Sequence, residues 1–294
     1  MKRRPFMKSS AAIAASALAA AGGTMTSEAQ PFKGTIRKSL YWGMLPKELS
    51  TADKFKLIKR AGFVGVEVPT TEKNEDVYEI KAAAESTGII VHSIMNSNHW
   101  RYPFSSDDPE TIKTGMEGMK TSLSNARELG ADTVLLVPAV VNAETSYRDA
   151  YVRSQKHIKE LLPMAEELDV TIAIENVWNK FLLSPLEFAQ YVDKFQSPYL
   201  QAYFDCGNIA LYGFPHDWIR TLGRRIAKVH IKGFDVKKRQ FTNILDGTID
   251  WVEVREAFSD IRYNGYMGAE LSGGDEAYLT DVSKRMDKII AGQK

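Results

Sequence analysis

Short apolar runs of strand length alternate along the chain with longer segments that have helix-like patterning. The short runs predict strands over residues 36–42, 63–69, 89–95, 133–138, 170–176, 201–207, 227–233 and 266–272. The longer segments predict helices near residues 49–61, 76–87, 109–129, 145–168, 185–195, 216–223, 250–260 and 275–291. Gly62, Gly88 and Gly130 each stand just before the next strand, where a helix C-cap belongs. The pattern therefore predicts a strand followed by a helix, repeated eight times.

The eight strand–helix units occupy residues 30–294 without a linker rich in Pro, Ser or Gly, which predicts a single domain. Eight such units in a chain of this length are the expectation for an α/β fold of the (β/α)8, or TIM, barrel type. A doubly wound open sheet is the alternative. That fold favours a Gly-rich turn after the first strand, where this chain has MLPKEL at residues 44–49. The pattern therefore favours the barrel.

The first 29 residues differ in character from the rest of the chain. MKRRPFMKSS resembles a twin-arginine export signal, whose Arg-Arg-x-Phe-hydrophobic-Lys pattern falls on Arg3, Arg4, Phe6, Met7 and Lys8. The Ala-rich stretch at 11–23 is too short and too weakly hydrophobic for a membrane span, and no other stretch approaches that length. The small residues Ser27 and Ala29 predict cleavage just before Gln30. We therefore expect an exported, periplasmic protein with no membrane span after removal of the signal; a disordered N-terminal tail is the alternative.

Charge and cysteine content exclude two classes of site. Residues 1–29 contribute +3 to a net charge of +1, so residues 30–294 carry −2. A negatively charged domain lacks the electrostatic footprint of nucleic-acid binding, and we expect no nucleic-acid partner. Cys206 is the single cysteine, which excludes an intramolecular disulfide and a structural zinc site built on clustered cysteines.

Polar side chains stand at the C-terminal ends of the predicted strands, where TIM barrels build their active sites. Strands five to eight carry Glu175, Asp205, His230 and Glu270. Three carboxylates crowded with an imidazole at one rim need a cation to offset their repulsion. Oxygen-rich ligation with one His suits Mn²⁺, Mg²⁺ or Co²⁺, and Zn²⁺ also fits. One divalent metal ion is therefore predicted; four helix-capping or salt-bridged residues are the alternative.

Five segments carry a family resemblance: IAIENVWN (172–179), YFDCGN (203–208), KVHIKGFD (228–235), LDGTIDW (245–251) and YMGAELSGG (266–274). In this order they resemble the sugar isomerase/epimerase superfamily with a xylose isomerase-like barrel. That superfamily includes ketose 3-epimerases, L-ribulose-5-phosphate 3-epimerase-like proteins and hydroxypyruvate isomerases. The likeness spans nearly all of residues 30–294. It implies a small-molecule sugar substrate and a homo-oligomer, because family members often form dimers or tetramers.

The resemblance also implies roles for the four strand-end residues. Glu175, Asp205, His230 and Glu270 would hold a single divalent metal ion, and Glu175 and Glu270 would also be the catalytic acid/base pair. The implied reaction removes a proton from the carbon next to a carbonyl and passes through a metal-bound enediolate. Two facing glutamates permit epimerisation, whereas isomerisation between aldose and ketose can use one. We therefore expect a metal-dependent sugar epimerase or isomerase.

Two departures from the family pattern leave the substrate open. Asn208 stands where epimerases of unphosphorylated ketoses often have His, and Leu245-Asp246-Gly247 replaces their Gly-Glu-Gly segment. The predicted export favours a free or oxidised sugar, because sugar phosphates are mostly cytoplasmic. One alternative is an exported lyase or hydratase that acts on 3-keto-glycosides through the same metal site. A non-catalytic sugar-binding barrel is the other.

Five further residues are predicted to bind substrate: Glu67, His99, Trp100, Asn208 and Lys232. Lys232 follows His230 by two and therefore points to the same side of its strand, with a salt bridge to a carboxylate as the alternative. Glu67 ends the second strand and would bind a substrate hydroxyl or orient His230. His99 and Trp100 would form a wall against a sugar ring, or else a loop packed on its own Trp.

Overall fold

The computed structural model describes residues 32–293, so the predicted export signal lies outside the described residues. The barrel strands are β1 (Thr35–Tyr41), β2 (Gly65–Pro69), β3 (Ile90–Met95), β4 (Thr133–Leu136), β5 (Thr171–Glu175), β6 (Leu200–Asp205), β7 (Ile226–Ile231) and β10 (Asn264–Ala269). A short antiparallel hairpin of β8 (Gly233–Asp235) and β9 (Gln240–Thr242) follows β7. The barrel strands are parallel and close in the order β1-β10-β7-β6-β5-β4-β3-β2. The predicted (β/α)8 barrel is confirmed, and the open-sheet alternative is wrong.

The helices begin and end close to the sequence signals that predict them. They are α1 (Thr51–Arg60), α2 (Asn74–Thr87), α3 (Pro109–Leu129), α4 (Tyr147–Leu168), α5 (Pro185–Asp193), α6 (Cys206–Ile209), α7 (Pro215–Leu222), α8 (Trp251–Asp260) and α9 (Glu276–Ala291). Ser184 caps α5 by accepting the Glu187 N–H, and Gly88 and Gly130 end α2 and α3 in the left-handed conformation, with φ of 75° and 72°. Within residues 32–293, no helix is both long and apolar enough to cross a membrane.

Strand β6 shows how alternation divides side chains between the helix layer and the barrel interior. Ala202 and Phe204 belong to the main apolar core between sheet and helices. Tyr203 packs instead with apolar residues of β4 and β5 in a separate small cluster. Asp205 is the next residue on the side of Tyr203. The alternation itself therefore directs the Asp205 carboxylate to the interior at the mouth of the barrel.

Several predicted strands, β4 and β10 among them, end one to three residues earlier than expected, and for β6 and β7 the structure gives the reason. β6 ends at Asp205 instead of residue 207, because the Asp205 side chain accepts the Asn208 N–H (2.7 Å) and so begins the short helix α6. β7 ends at Ile231 instead of residue 233, because Gly233 pairs with Thr242 in the hairpin. The hairpin was not predicted, since strands of three residues are too short to show a periodic pattern.

Candidate metal centre and active site

The four predicted metal ligands meet at the mouth of the barrel. Glu175 and Asp205 are the last residues of β5 and β6. His230 is the register partner of Asp205 across β6 and β7, and Glu270 follows β10, donating its N–H to the Ile231 carbonyl (3.1 Å). One ligand atom from each of the four residues lies within 4.8 Å of the others. The parallel strands therefore bring together residues that are far apart in the sequence.

The imidazole of His230 is fully buried and is held on both edges. Its Nδ1 lies 3.0 Å from Glu175 Oε1 and 3.6 Å from Glu270 Oε2, and its Nε2 lies 3.0 Å from Glu67 Oε1. The other oxygen of Glu67 accepts a hydrogen bond from Ser93 Oγ. When Nε2–H donates to Glu67, the lone pair is on Nδ1, which faces the other carboxylates. A carboxylate on the second ring nitrogen is the arrangement that orients metal-ligating histidines.

The mouth of the barrel holds more carboxylates than cations. Three carboxylates act on the ammonium of Lys232: its Nζ contacts Glu270 Oε2 and lies 3.2 Å from Asp205 Oδ2, and the charge of Glu175 also raises its pKa. Burial raises the pKa of Glu175 to about 7 and also raises the pKa of Asp205. Burial acts in the same direction on Glu270, but His230 and Lys232 outweigh it and lower that pKa. One ammonium therefore does not neutralise the cluster, and protons or a further cation are needed.

The donor set fits a hard divalent cation. Oδ1 of Asp205 accepts the Asn208 N–H, whereas Oδ2 is buried, accepts no well-oriented hydrogen bond and has the Lys232 ammonium 3.2 Å away. Buried oxygens are normally satisfied, so this one is suited to an ion. Three carboxylates and one imidazole are the ligand types that Mn²⁺, Mg²⁺ and Co²⁺ accept, and Zn²⁺ tolerates them. The four residues would hold such an ion, and the ion would supply the positive charge that the cluster lacks.

Asn176 ties the ends of β5 and β6 together beside the ligands. Its side chain donates to the Asp205 carbonyl (2.8 Å) and accepts the Asp205 N–H (2.9 Å). Asn208 Nδ2 donates to the Asn176 carbonyl (3.0 Å), and the Trp178 indole N–H donates to the Asn208 carbonyl (2.7 Å). The two asparagines are buried, where hydrogen bonds are stronger than in water. The network therefore fixes the backbone that carries two of the four ligands.

Two cavities open beside Glu270 and Lys232. The first has a volume of about 250 Å³. It is lined by the side chains of Glu175, Glu270, Lys232 and Asn208 and by the rings of Trp100, Trp178 and Phe241. The second, of about 420 Å³, is lined by Glu270 and Lys232 together with Tyr41, Thr242, Asn243 and Ser272. The rings of Trp178 and Phe241 lie 5.0 Å apart. An aromatic wall facing a few convergent polar groups is the lining that a small polar ring needs.

Four of the predicted substrate-binding residues line the first cavity, namely His99, Trp100, Asn208 and Lys232. Burial lowers the pKa of His99 to about 3, and its Nδ1 accepts the Val137 N–H (3.2 Å). The His99 ring is therefore neutral, with its proton on Nε2.

Glu67 is placed differently from these four. Its side chain is 1 % exposed and lies at the opposite edge of the His230 ring from Glu175. Of its two predicted roles, this position favours the orientation of His230 over contact with a substrate hydroxyl. The substrate-binding roles of all five residues stay predictions.

Several residues of the site, among them Asn176, Tyr41 and Phe241, are not among the predicted ones. Asn176 follows Glu175 directly, and its network depends on the approach of β6. Tyr41 is the last residue of β1, and its position at a strand end could have identified it as a site residue. Burial raises the pKa of Tyr41, and the charges of Glu67 and Glu270 raise it further. Phe241 lies in the hairpin that the sequence pattern does not reveal.

Comparisons with known proteins agree with this architecture. The family model described as xylose isomerase-like TIM barrel matches residues 55–289. L-ribulose-5-phosphate 3-epimerase UlaE of Escherichia coli O1:K1 / APEC is 25% identical over 273 residues, which cover 87% of this chain and 94% of that protein. UlaE of Shigella flexneri is 26% identical over 249 residues, which cover 80% of this chain and 86% of that protein.

Solved structures of sugar epimerases share the fold. D-psicose 3-epimerase in the presence of D-fructose superposes with a TM-score of 0.73 at 18% identity, covering 87% of this chain and 99% of that one. The 3-keto-D-glucoside 4-epimerase YcjR from E. coli gives the same TM-score and coverage at 15% identity. The two curated relatives are sugar epimerases, which confirms the prediction of an enzyme of the isomerase class. The chain belongs to the xylose isomerase-like TIM barrel family.

Proposed function

We propose that this protein is a divalent-metal-dependent sugar epimerase or isomerase that moves a proton at the carbon next to a carbonyl group. One observation carries the proposal. Glu175 and Glu270 each offer a carboxylate oxygen to a cluster of atoms within 4.8 Å of one another, and both residues line the same cavity. A pair of carboxylates beside one cavity is what proton removal and return at a single carbon requires.

The two glutamates divide the proton transfer between them. One removes the proton from the carbon that lies between the carbonyl and a neighbouring hydroxyl, and the electron pair of the broken C–H bond moves onto the carbonyl oxygen. Return of a proton to the opposite face of that carbon by the other glutamate inverts the carbon. Return to the former carbonyl carbon, with transfer of the hydroxyl proton to the former carbonyl oxygen, instead converts a ketose into an aldose. A divalent cation held by the four ligands would polarise the carbonyl and make this proton more acidic.

Other residues of the chain position the reacting groups. Glu67 accepts from His230 Nε2–H and so fixes which nitrogen faces the ligands. Lys232 holds Glu270 and Asp205 in place through its ammonium. The rings of Trp100, Trp178 and Phe241 exclude water from one side of the cavity. A drier cavity strengthens each charge interaction inside it.

The cavity lining supports an unphosphorylated substrate. Among the described residues that line the two cavities, Lys232 is the only side chain that is cationic at neutral pH, and its ammonium is already paired with Glu270 and Asp205. Phosphate groups are usually bound by arginine forks, lysines or helix N-termini. The second cavity offers neutral hydroxyl and amide groups, which suit sugar hydroxyls. We therefore include a free sugar in the proposal, in contrast to the sugar phosphate named for the UlaE relatives.

Deuterium exchange tests the proposal. The metal-loaded protein is incubated in D₂O with L-ribulose, D-fructose and L-ribulose 5-phosphate, and the gain in mass of each sugar is followed by mass spectrometry. We expect a free ketose to gain deuterium at the carbon next to its carbonyl. Glu175→Gln and Glu270→Gln should each slow this exchange about 10³-fold, because each removes one proton-transferring group. Glu85→Gln, which changes an exposed carboxylate on α2, is the matched control and should leave the rate unchanged.

Metal content distinguishes the enzyme from the sugar-binding alternative. We expect about one divalent ion per chain by elemental analysis, and less in Glu270→Gln, which lacks one ligand charge. If the wild-type protein neither contains nor binds a divalent ion and no ketose exchanges deuterium, the proposal fails. A non-catalytic sugar-binding barrel would then explain the cavity.

We also propose that residues 1–29 direct export to the periplasm. Arg3, Arg4, Phe6 and Lys8 support this proposal by their match to the twin-arginine pattern. The test is cell fractionation of the full chain and of a variant with Arg3→Lys and Arg4→Lys. The wild type should appear in the periplasm and the variant should stay in the cytoplasm. Equal distribution of the two proteins would contradict the proposal.

A further inference from the structure

A chain of polar side chains runs through the barrel interior to the edge of His230 that faces away from Glu175. Its members Glu67, Ser93 and Tyr203 are all buried, at 1% exposure or less. Ser93 Oγ donates to Glu67 Oε2, and Tyr203 Oη lies 3.5 Å from Ser93 Oγ. The other oxygen of Glu67 lies 3.0 Å from His230 Nε2. Two hydroxyl groups to which the proposed proton transfer gives no role are therefore linked, through one carboxylate, to a predicted metal ligand.

The chemistry of the groups determines the direction of these hydrogen bonds. An ionised carboxylate only accepts, so Glu67 receives the hydroxyl proton of Ser93 on one oxygen and the Nε2–H of His230 on the other. Ser93 has no second proton to donate, so the hydroxyl of Tyr203 donates to Ser93 Oγ. Every donor in the chain thus points toward Glu67, and successive hydrogen bonds of this kind strengthen one another in a buried environment.

An irregularity in the pairing of β2 and β3 builds the first of these contacts. Val91 pairs with Val66, but Ser93 pairs with Glu67, so His92 is an extra residue in β3. Extra residues of this kind re-aim side chains and are common next to active sites. Regular pairing would place His92 beside Glu67, whereas the extra residue places the Ser93 hydroxyl there.

A second irregularity, in the pairing of β6 and β7, places Tyr203. Ala227 is an extra residue in β7, so that Tyr203 pairs with Lys228 and Asp205 pairs with His230. Regular pairing would instead set the interior-facing residues of β6 beside residues of β7 that face the helices. The ring centres of Tyr203 and His230 are 4.5 Å apart. Tyr203 therefore supports His230 directly through its ring and indirectly through its hydroxyl group.

We propose that Ser93 and Tyr203 are positioning residues of the metal site, which hold Glu67 so that it fixes the orientation and the tautomer of His230. This inference rests on the proposed function, because it takes His230 to be a metal ligand. Neither Ser93 nor Tyr203 is among the described residues that line the two cavities, so their effect passes through Glu67. Loss of either hydroxyl removes a donor from a buried acceptor and leaves the Glu67 carboxylate free to turn. Metal binding should therefore suffer more than proton transfer.

Competition titration of the full chain with Mn²⁺ against a fluorescent chelator tests the inference. Ser93→Ala should lower Mn²⁺ affinity about tenfold, the lower limit of what partners of metal ligands contribute. Tyr203→Phe removes one neutral hydrogen bond and should lower the affinity about threefold. In the Glu67→Ala background Ser93→Ala should cause no further loss, because the group through which it acts is gone.

Ser154 and Tyr191 supply the matched control. Both are fully buried, and Ser154 Oγ lies 2.7 Å from Tyr191 Oη, in a hydroxyl pair between α4 and α5 instead of in the barrel interior. Ser154→Ala and Tyr191→Phe remove the same chemical groups as the two test variants. They should lower the free energy of unfolding in urea by a similar amount and leave Mn²⁺ affinity unchanged.

Deuterium exchange into free ketoses separates this inference from the proposed function. At saturating Mn²⁺ the exchange rate of Ser93→Ala should stay within about threefold of the wild type, because both glutamates remain. Wild-type Mn²⁺ affinity in Ser93→Ala and Tyr203→Phe, or a loss that persists in the Glu67→Ala background, would overturn the inference and leave the proposed function intact. An equal loss of affinity in the Ser154 and Tyr191 controls would also overturn it, since reduced stability would then explain the effect. If the wild type itself binds no divalent ion, both fail.

Discussion

The strand β7 and the residue after it carry two buried lysines on the same side, one at each end of the barrel, and the two differ in their partners. Lys228 lies 2.6 Å from Asp132, whose side chain is 70% exposed, and its Nζ is 5.4 Å from the centre of the Tyr266 ring. Burial lowers the pKa of Lys228, and the nearby carboxylate only partly offsets that effect. Lys228 therefore has one ion-pair partner, Asp132, which water also solvates, and Arg37 adds to the lowering of its pKa.

Lys232 meets several carboxylates at once at the mouth of the barrel. Burial acts to lower its pKa, but Asp205, Glu270 and Glu175 outweigh burial and raise the pKa. The two lysines lie on the same side of one chain segment, with side chains 5% and 12% exposed, and their pKa values move in opposite directions. The difference lies in the count of carboxylates around each.

The comparison separates a structural ion pair from a functional cluster. At the bottom of the barrel Lys228 pairs with Asp132 and Arg37 lies near enough to lower its pKa, so negative charge is not in excess there. At the mouth, carboxylates outnumber cations. Such an excess of negative charge persists only where a bound cation or a catalytic function compensates for its cost in stability. The imbalance around Lys232 is therefore the physical mark of the site, and it is the feature that substitutions can probe.

Loss of a ligand charge should have the largest effect. Asp205→Asn keeps the shape of the side chain and its cap on α6 but removes one negative charge from the cluster. We expect affinity for Mn²⁺ to fall by about 100-fold or more, beyond the 10–100-fold that outer residues contribute. The measurement is a competition titration against a fluorescent chelator. Asp169→Asn is the control, because Asp169 is exposed at a helix C-cap in the left-handed conformation, which asparagine also adopts. Equal losses of Mn²⁺ affinity in the two variants would contradict the four-ligand site.

Loss of the ammonium at the mouth should come next. Lys232→Met leaves three carboxylates without their shared cation. In the presence of a chelator that removes metal, we expect the free energy of unfolding to fall by about 2–4 kcal/mol. The loss should be smaller in the metal-loaded protein, because the ion offsets the same charges. Urea unfolding with chelator and with Mg²⁺ measures both. An equal loss under the two conditions would show that Lys232 is not part of the charge balance of the metal site.

Loss of the carboxylate behind His230 should have a moderate effect. Glu67→Gln keeps an oxygen that accepts from His230 Nε2–H but removes the charge that strengthens this bond, and we expect metal affinity to fall about tenfold. Glu67→Ala also removes the acceptor and should cost about 100-fold. Metal titration of the two variants and the wild type measures these losses of metal affinity. If both variants bind metal like the wild type, Glu67 does not orient the ligand.

Loss of the cation at the bottom should have the smallest effect. Lys228→Met replaces a paired cation with an apolar chain of similar length, so stability should change by less than about 1 kcal/mol and metal affinity should not change. The pKa of Lys228 is lowered in the folded protein, so the unfolded chain binds more protons at pH values between that pKa and 10.5. Stability of the wild type relative to the variant should therefore rise with pH in this window. Urea unfolding of both proteins from pH 7 to 10 tests the sign.

Much of the fold was predictable because its signals are local. Alternating apolar runs, glycine caps and the Ser184-Pro185 start of α5 each depend on a few neighbouring residues, and the structure places the elements within a few positions of the prediction. The early end of β6 is a local effect of a different kind. There the hydrogen bond from Asn208 to Asp205 favours a helix over two more strand residues.

The polar interior was only partly predictable. His92 lies in a strand that the apolar pattern predicts, but its stacking on Tyr266, with ring centres 4.4 Å apart, depends on a contact between remote strands. Gly207 gave no signal in the sequence. A Cβ atom there would lie 2.3 Å from Lys232 Cγ, so the absence of a side chain makes room for the lysine that pairs with the ligands. Such close approaches depend on the distance between strands and loops and cannot be derived from either segment alone.

The sequence by itself determined the barrel and the identity of the four strand-end residues, because periodicity and strand ends are properties of short segments. Only the tertiary structure decided that Glu67 contacts Nε2 of His230 while Glu175 contacts Nδ1, and that Lys232 is shared by Asp205 and Glu270. It also decided that Phe241 joins Trp178 in the cavity wall. The reason is physical: these contacts depend on the register and closure of the barrel, which set distances between side chains from strands that are remote in sequence.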